Sequence, residues 1–151
     1  MAGESTVYWD SSAFLSRFAR TAGRIEALEE LTDCAERGQV RIVTSILTMA
    51  EVAWWDGDDA KTPEQEETLV AFFENPYITV QSLDYFVAEQ ARRLIRTHGL
   101  HGADAVHLAT AIRHSVAVVH AYDAHMLRLN GQIPGLTIEE PVCQQGKLNM
   151  D

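Results

Sequence analysis

Apolar residues fall along this chain in short β-branched blocks, separated by longer stretches with helical spacing. Thr6-Val7-Tyr8-Trp9 is β-rich and apolar and predicts a strand ending at Asp10. Ser11-Ser12 then offers a helix N-cap, and Ala13, Phe14, Leu15 and Phe18 give a short helix one apolar face. Ile25, Leu28, Leu31 and Ala35 recur at helical spacing and predict a second helix over 24–37, stopped by Gly38. Val40 to Thr44 alternates and reads as a second strand. Ser45 caps a third helix carrying Ile46, Leu47, Met49, Ala50, Val52 and Ala53, which ends in Trp54-Trp55 and the acidic loop Asp56-Gly57-Asp58-Asp59.

Pro63 suits the first turn of a fourth helix, and Glu64, Glu66 and Glu67 complement its N-terminal dipole. That helix ends near Asn75-Pro76, and Tyr77 to Leu83 is a third strand. Asp84 caps a fifth helix running to His98, where Gly99 terminates it. A sixth helix spans about Gly102 to His114. Ser115 to Ala121 is the most apolar strand; it does not alternate, as expected for a strand buried on both faces of a parallel sheet. A short helix over 123–129, a last strand over 136–139 and a loose tail over 141–151 complete the chain. Strands separated by helices predict one α/β domain over 1–140, a three-layer sandwich with a mainly parallel sheet.

Composition narrows the function. The two cysteines, Cys34 and Cys143, are too few for a disulfide framework or a cysteine-rich zinc site and fit free thiols in a reducing cytoplasm. No signal-peptide pattern opens the chain, and no apolar run approaches membrane-spanning length. The formal net charge is −10, with −9 of it in residues 1–75. Bulk electrostatics therefore oppose non-specific nucleic-acid binding. Metal ions or local arginines would have to supply it, and an acidic chain also suits a basic partner.

Four acids stand out. Asp10 and Asp123 each follow an apolar strand, so both should project from the carboxyl edge of the sheet, where open parallel sheets bind ligands. Glu51 and Asp104 are lone acids on apolar helices. Converging carboxylates either take up protons or bind a divalent cation, and hard oxygen donors select Mg²⁺ or Mn²⁺. The chemistry such a site serves best is attack of water on a phosphodiester. Each acid also has a plainer role open to it: a helix N-terminal charge for Asp104, a cap for Asp123, an arginine partner for Glu51, a turn for Asp10.

Val7-Tyr8-Trp9-Asp10-Ser11-Ser12-Ala13-Phe14-Leu15 resembles the opening strand and first acid of the PIN-domain nucleases. The segments 45–52, 104–111 and 118–126 resemble their second, third and fourth motifs, with intervals of 41, 53 and 19 residues between the acids. Over residues 6–140 the chain is most similar to VapC-type toxins of toxin–antitoxin pairs. That resemblance implies a Mg²⁺- or Mn²⁺-dependent endoribonuclease whose metal site is Asp10, Glu51, Asp104 and Asp123. It also implies a homodimer, an RNA substrate, an antitoxin with a basic arm, and operator DNA bound only through the antitoxin. In one departure, Ala121 stands where the family usually has Thr or Ser. A catalytically weak scaffold acting through its antitoxin, and a nuclease of RNA maturation, are the alternatives.

Other groups carry less. His107 and His114 are two helical turns apart, too far for joint ligation, and His107 reads as a satisfied helix residue. His98 and His101 flank a glycine turn. Ser11 and Ser12 lack a nucleophile-elbow motif. Arg17, Arg20 and Arg24 could guide RNA phosphates if their helix continues, or form a solvated face. Phe14, Phe18, Trp54 and Trp55 pack in the core or line a docking groove.

Overall fold

In the computed structural model, residues 4–142 are described except 57, 58 and 61, with the backbone alone described for 54–56 and 59–60. The chain runs β1 (Ser5–Trp9), α1 (Ser11–Phe18), α2 (Ile25–Glu36), β2 (Val40–Ser45), α3 (Ile46–Glu51), β3 (Trp54–Asp56), β4 (Asp59–Ala60) and α4 (Pro63–Phe73). It continues through β5 (Ile78–Gln81), α5 (Tyr85–His98), α6 (Gly102–Arg113), β6 (Val118–His120), α7 (Ala124–Leu127) and β7 (Thr137–Glu139). Five strands form one sheet in the order β5-β2-β1-β6-β7, and every pairing in it is parallel.

Alternation along the strands sorts the core into two halves. Val7, Trp9 and Ile42 face one side, where they pack with Phe14, Leu28, Leu31 and Phe72 from α1, α2 and α4. Tyr8 and Val43 face the other side and meet Val87, Leu94, Leu108 and Met126 from α5, α6 and α7. This is the expected three-layer sandwich. Burying each large apolar side chain contributes about 1.5–3 kcal/mol. Trp9 and Phe14 add an edge-to-face contact, their centroids 5.3 Å apart.

Local chemistry sets the element ends. Thr62 and Gln65 form a reciprocal capping box at α4 with Pro63 in its first turn. Asp84 caps α5 by accepting from Val87 N, and Gly99 closes the helix at φ 68°. Three expectations need correction. The third helix ends at Glu51 rather than Ala53, because the next residues turn into the β3–β4 hairpin, which occupies part of the expected acidic loop. The strand expected from Ser115 starts at Val118, since Ser115 takes a left-handed φ of 57° and Val116 N bonds back to Ala111 O. The first helix is short, as expected, and does not continue through the arginines: Arg20 is left-handed at φ 52°, and Thr21 N reaches Ser16 O. Its N-cap is Asp10, not Ser11 or Ser12. The side chains of Trp54 and Trp55, Cys143 and the tail beyond Val142 lie outside the described residues; Cys34 is buried. Among the described residues no helix is long and apolar enough to cross a membrane.

Candidate active site

The strand order reverses between β1 and β6, since the chain leaves β1 for β2 on one side and β6 borders it on the other. Such a switch point opens a crevice at the carboxyl ends of the strands. Asp10 follows β1 and Asp123 follows β6, and the two strands pair in parallel with Trp9 opposite His120. Asp10 N donates to His120 O at 3.3 Å. Both acids therefore emerge from adjacent strand ends, as the order of elements predicts.

Asp10 is 5% exposed. Its Oδ1 accepts from Ser12 Oγ at 2.6 Å and from Ala13 N at 3.2 Å. A cap is worth about 0.5–2 kcal/mol, whereas removing a carboxylate from water costs several kcal/mol. Burial wins, and the Asp10 carboxyl is pushed above its ordinary value despite the hydrogen bonds from Ser12 and Ala13 and the nearby His107. Ser12 Oγ also accepts from Tyr122 N at 3.2 Å, which ties the start of α1 to the turn leading into α7.

Glu51, at the end of α3, is partly buried. Its Oε1 accepts from Ser11 Oγ at 2.6 Å and lies 2.7 Å from His107 Nε2. The hydrogen bond from His107 is the largest cause holding this carboxyl below the usual carboxylate range, against its own desolvation. On its other nitrogen, His107 Nδ1 is 2.7 Å from the Tyr8 hydroxyl, and the ring is 2% exposed. Burial raises the Tyr8 phenol far above its ordinary value, with Asp10 adding to the rise.

Asp104 sits in the first turn of α6, three residues before His107 and so on the same helix face. Desolvation first, then the charge of Asp123, raises its carboxyl; Glu51 adds to the rise, while His107 and His101 oppose it. Asp123 caps α7, accepting from His125 N at 2.6 Å, so its plainer role is realised too.

Three of the acids lie about one buried histidine, and Asp123 joins them through its charge on Asp104. Glu51 touches it, and Asp10 and Asp104 feel its charge. No Arg or Lys ion pair reaches any of the four among the described residues. The donor set is carboxylate oxygen under mutual repulsion, which fits a hard divalent cation in kind. Among the described residues, however, no three His, Cys, Asp or Glu side chains stand close enough to hold a metal ion as arranged.

Ser11, Ser12, His107 and Tyr8 were the groups that sequence reasoning left out of the site. The i, i+3 spacing of Asp104 and His107 is the sequence signal that would have found one of them. The three arginines do not share a helical face. Arg17 lies over the Phe72 ring and donates to Thr32 Oγ1, and Arg20 pairs with Glu29 at 2.7 Å. Arg24 alone reaches the crevice, with its guanidinium 4.1 Å from the centroid of Tyr122, the residue before Asp123. Burial pushes the Tyr122 phenol up to about 12, although Arg24 pulls it down. Ala121 is fully buried in the apolar half of the core beneath α6 and α7.

A family model described as PIN domain matches residues 7–132. The chain belongs to the PIN domain family. No curated protein matches it in sequence. As a PIN domain it shares its fold with several solved toxin–antitoxin structures. One is a toxin–antitoxin complex from Klebsiella pneumoniae, 21% identical, with a TM-score of 0.63, covering 87% of this chain and 95% of that one. Another is VapC20 of Mycobacterium tuberculosis, described as a sarcin–ricin-loop-cleaving toxin, 15% identical, with a TM-score of 0.64, covering 78% of this chain and 90% of that one. A third is VapBC2 of Rickettsia felis bound to a promoter DNA fragment, 16% identical, with a TM-score of 0.63, covering 89% and 98%.

Proposed function

We propose that this PIN domain is a VapC-type endoribonuclease toxin that hydrolyses RNA phosphodiester bonds. The observation carrying this reading is Asp10 buried at the β1/β6 switch point, with Glu51 and Asp104 set about the same His107 and Asp104 raised by burial and then by Asp123. Asp10, Glu51, Asp104 and Asp123 would hold Mg²⁺ or Mn²⁺. When bound, such an ion lowers the pKa of water and stabilises a departing oxygen. The chain's own residues prepare the pocket. Ser12 and Ala13 fix Asp10, Ser11 and His107 fix Glu51, and Arg24 on Tyr122 offers a positive charge to an RNA phosphate beside Asp123.

Partners follow from the same reading. An acidic pocket suits the Arg or Lys of a basic antitoxin arm, and operator DNA would be engaged only through that antitoxin. A homodimer suits the exposed apolar residues Ile46, Met49, Leu83, Tyr85 and Phe86. Leu47 and Leu83 also line an apolar groove of about 350 Å³ with Ala91, Ile95 and Val106. The alternative, a weak catalyst acting through its antitoxin, is favoured by the apolar environment of Ala121, where no hydroxyl is offered to the last acid.

The test is cleavage of a structured RNA by purified protein in Mn²⁺ or Mg²⁺. The wild type is expected to cleave, and an Asp10→Asn, Asp104→Asn double variant to lose about 100-fold or more, the scale of removing a group that stabilises developing charge. Equal cleavage by the two proteins would refute the assignment of these acids.

A further inference from the structure

We propose that His107 is a positioning residue, which donates its Nε2 proton to Glu51 and so fixes which oxygen Glu51 turns to the pocket. The inference rests on reading Glu51 as part of the acidic site.

The geometry is a relay of short hydrogen bonds from the core to the crevice. The Tyr8 hydroxyl lies 2.7 Å from Nδ1 of His107, and Nε2 of the same ring lies 2.7 Å from Glu51 Oε1. A carboxylate oxygen accepts and cannot donate, so Nε2 must carry a proton. The Tyr8 hydroxyl is the partner of Nδ1, as donor or acceptor according to the state of the ring, and holds the imidazole from its far side. Ser11 Oγ donates to the same Glu51 oxygen at 2.6 Å. Both donors land on Oε1, and among the described residues no hydrogen bond reaches Oε2. One Glu51 oxygen is thereby held by protein, which leaves the other for a cation.

The device spans three elements. Tyr8 is on β1, Glu51 ends α3 and His107 is on α6, beside Asp104. Packing holds the imidazole in place: its ring meets Tyr8 edge-on with centroids 5.7 Å apart, and it is 2% exposed. Its α6 neighbours Ala105, Leu108, Ala109 and Ala111 are apolar and fully buried, so the ring's polar partners come from Tyr8, Ser11 and Glu51. A Ser–His–Glu nucleophile relay is the competing use of the same three groups. It fails because Ser11 gives its proton to Glu51, and Nε2, 3.3 Å from Ser11 Oγ, has no lone pair to take it.

The experiment uses the full chain with His107→Leu, His107→Gln and Tyr8→Phe, each checked for a cooperative thermal transition. Long-range imidazole ¹⁵N NMR on the metal-free wild type should find Nε2 of His107 protonated. Mn²⁺ affinity, read by electron paramagnetic resonance, should weaken about 10–100-fold in His107→Leu, the usual scale for losing a group that orients a ligand. His107→Gln retains an N–H donor toward Glu51 and should recover most of that loss, which a purely structural role would not predict. RNA cleavage should follow the same order. An imidazole with a bare Nε2 overturns the proposal. So does wild-type Mn²⁺ affinity in His107→Leu while wild-type protein cleaves RNA. A wild type that neither binds Mn²⁺ nor cleaves RNA instead sinks the nuclease reading itself, and the positioning role falls with it.

Discussion

Ser12 Oγ stands 2.6 Å from Asp10 Oδ1 while accepting from Tyr122 N at 3.2 Å. One hydroxyl therefore joins the carboxylate at the end of β1 to the turn that presents Asp123. A hydrogen bond to a charged group is worth about 1.5–3 kcal/mol. Ser12→Ala should lower unfolding stability by about 1–3 kcal/mol in urea titrations. It should also lower RNA cleavage, because the two strand ends are no longer tied. Unchanged values for both would show that the bridge is idle.

Asp10 gives a pH dependence with a definite sign. Its carboxyl is raised in the folded chain, first by burial. The stability it contributes is full below the unfolded value of about 3.9 and is lost as pH rises through the folded value. Asparagine caps a helix as well as aspartate does. Asp10→Asn should therefore melt above the wild type at pH 7.5 without divalent ions, with the gap closing toward pH 4. A variant melting below the wild type at pH 7.5 would contradict the sign.

Divalent ions should reverse that order. Ligand at a hundred times its dissociation constant stabilises by about 2.7 kcal/mol, or several degrees in Tm for a domain of this size. Adding Mn²⁺ should raise the wild-type Tm and leave Asp10→Asn nearly unmoved. Equal shifts in both would place ion binding elsewhere.

Exposed aromatic residues give a prediction about assembly. Tyr85 is 77% exposed and Phe86 58% exposed. Sedimentation should find a dimer for the wild type and a monomer for Tyr85→Lys, Phe86→Lys. A dimer in both would move the interface away from the start of α5.

Ser115 is exposed and left-handed at φ 57°. That conformation costs a non-glycine residue about 1–2 kcal/mol, against about 0.5–1 kcal/mol of extra chain entropy lost by glycine. Ser115→Gly should stabilise the fold by up to about 1 kcal/mol, seen as a higher urea midpoint at an unchanged slope.

The apolar run Val7-Tyr8-Trp9, the cap at Asp84, Pro63 in a first helical turn, and the acids after β1 and β6 were legible along the chain because each depends on near neighbours. Local pattern alone determined an α/β sandwich with acids at its carboxyl edge. What the tertiary structure decided is the relation between segments. Only folding brings Tyr8, Glu51 and His107 within 2.7 Å steps of one another, and only folding separates Arg24 from Arg17 and Arg20 by the left-handed turn at Arg20. Helical spacing could mark His107 as a buried residue. It could not reveal that residues 56 and 99 positions away supply its partners. Hydrogen-bond partners across a sheet are set by strand order and by how deep each helix packs, and neither is encoded in the spacing of residues along one element.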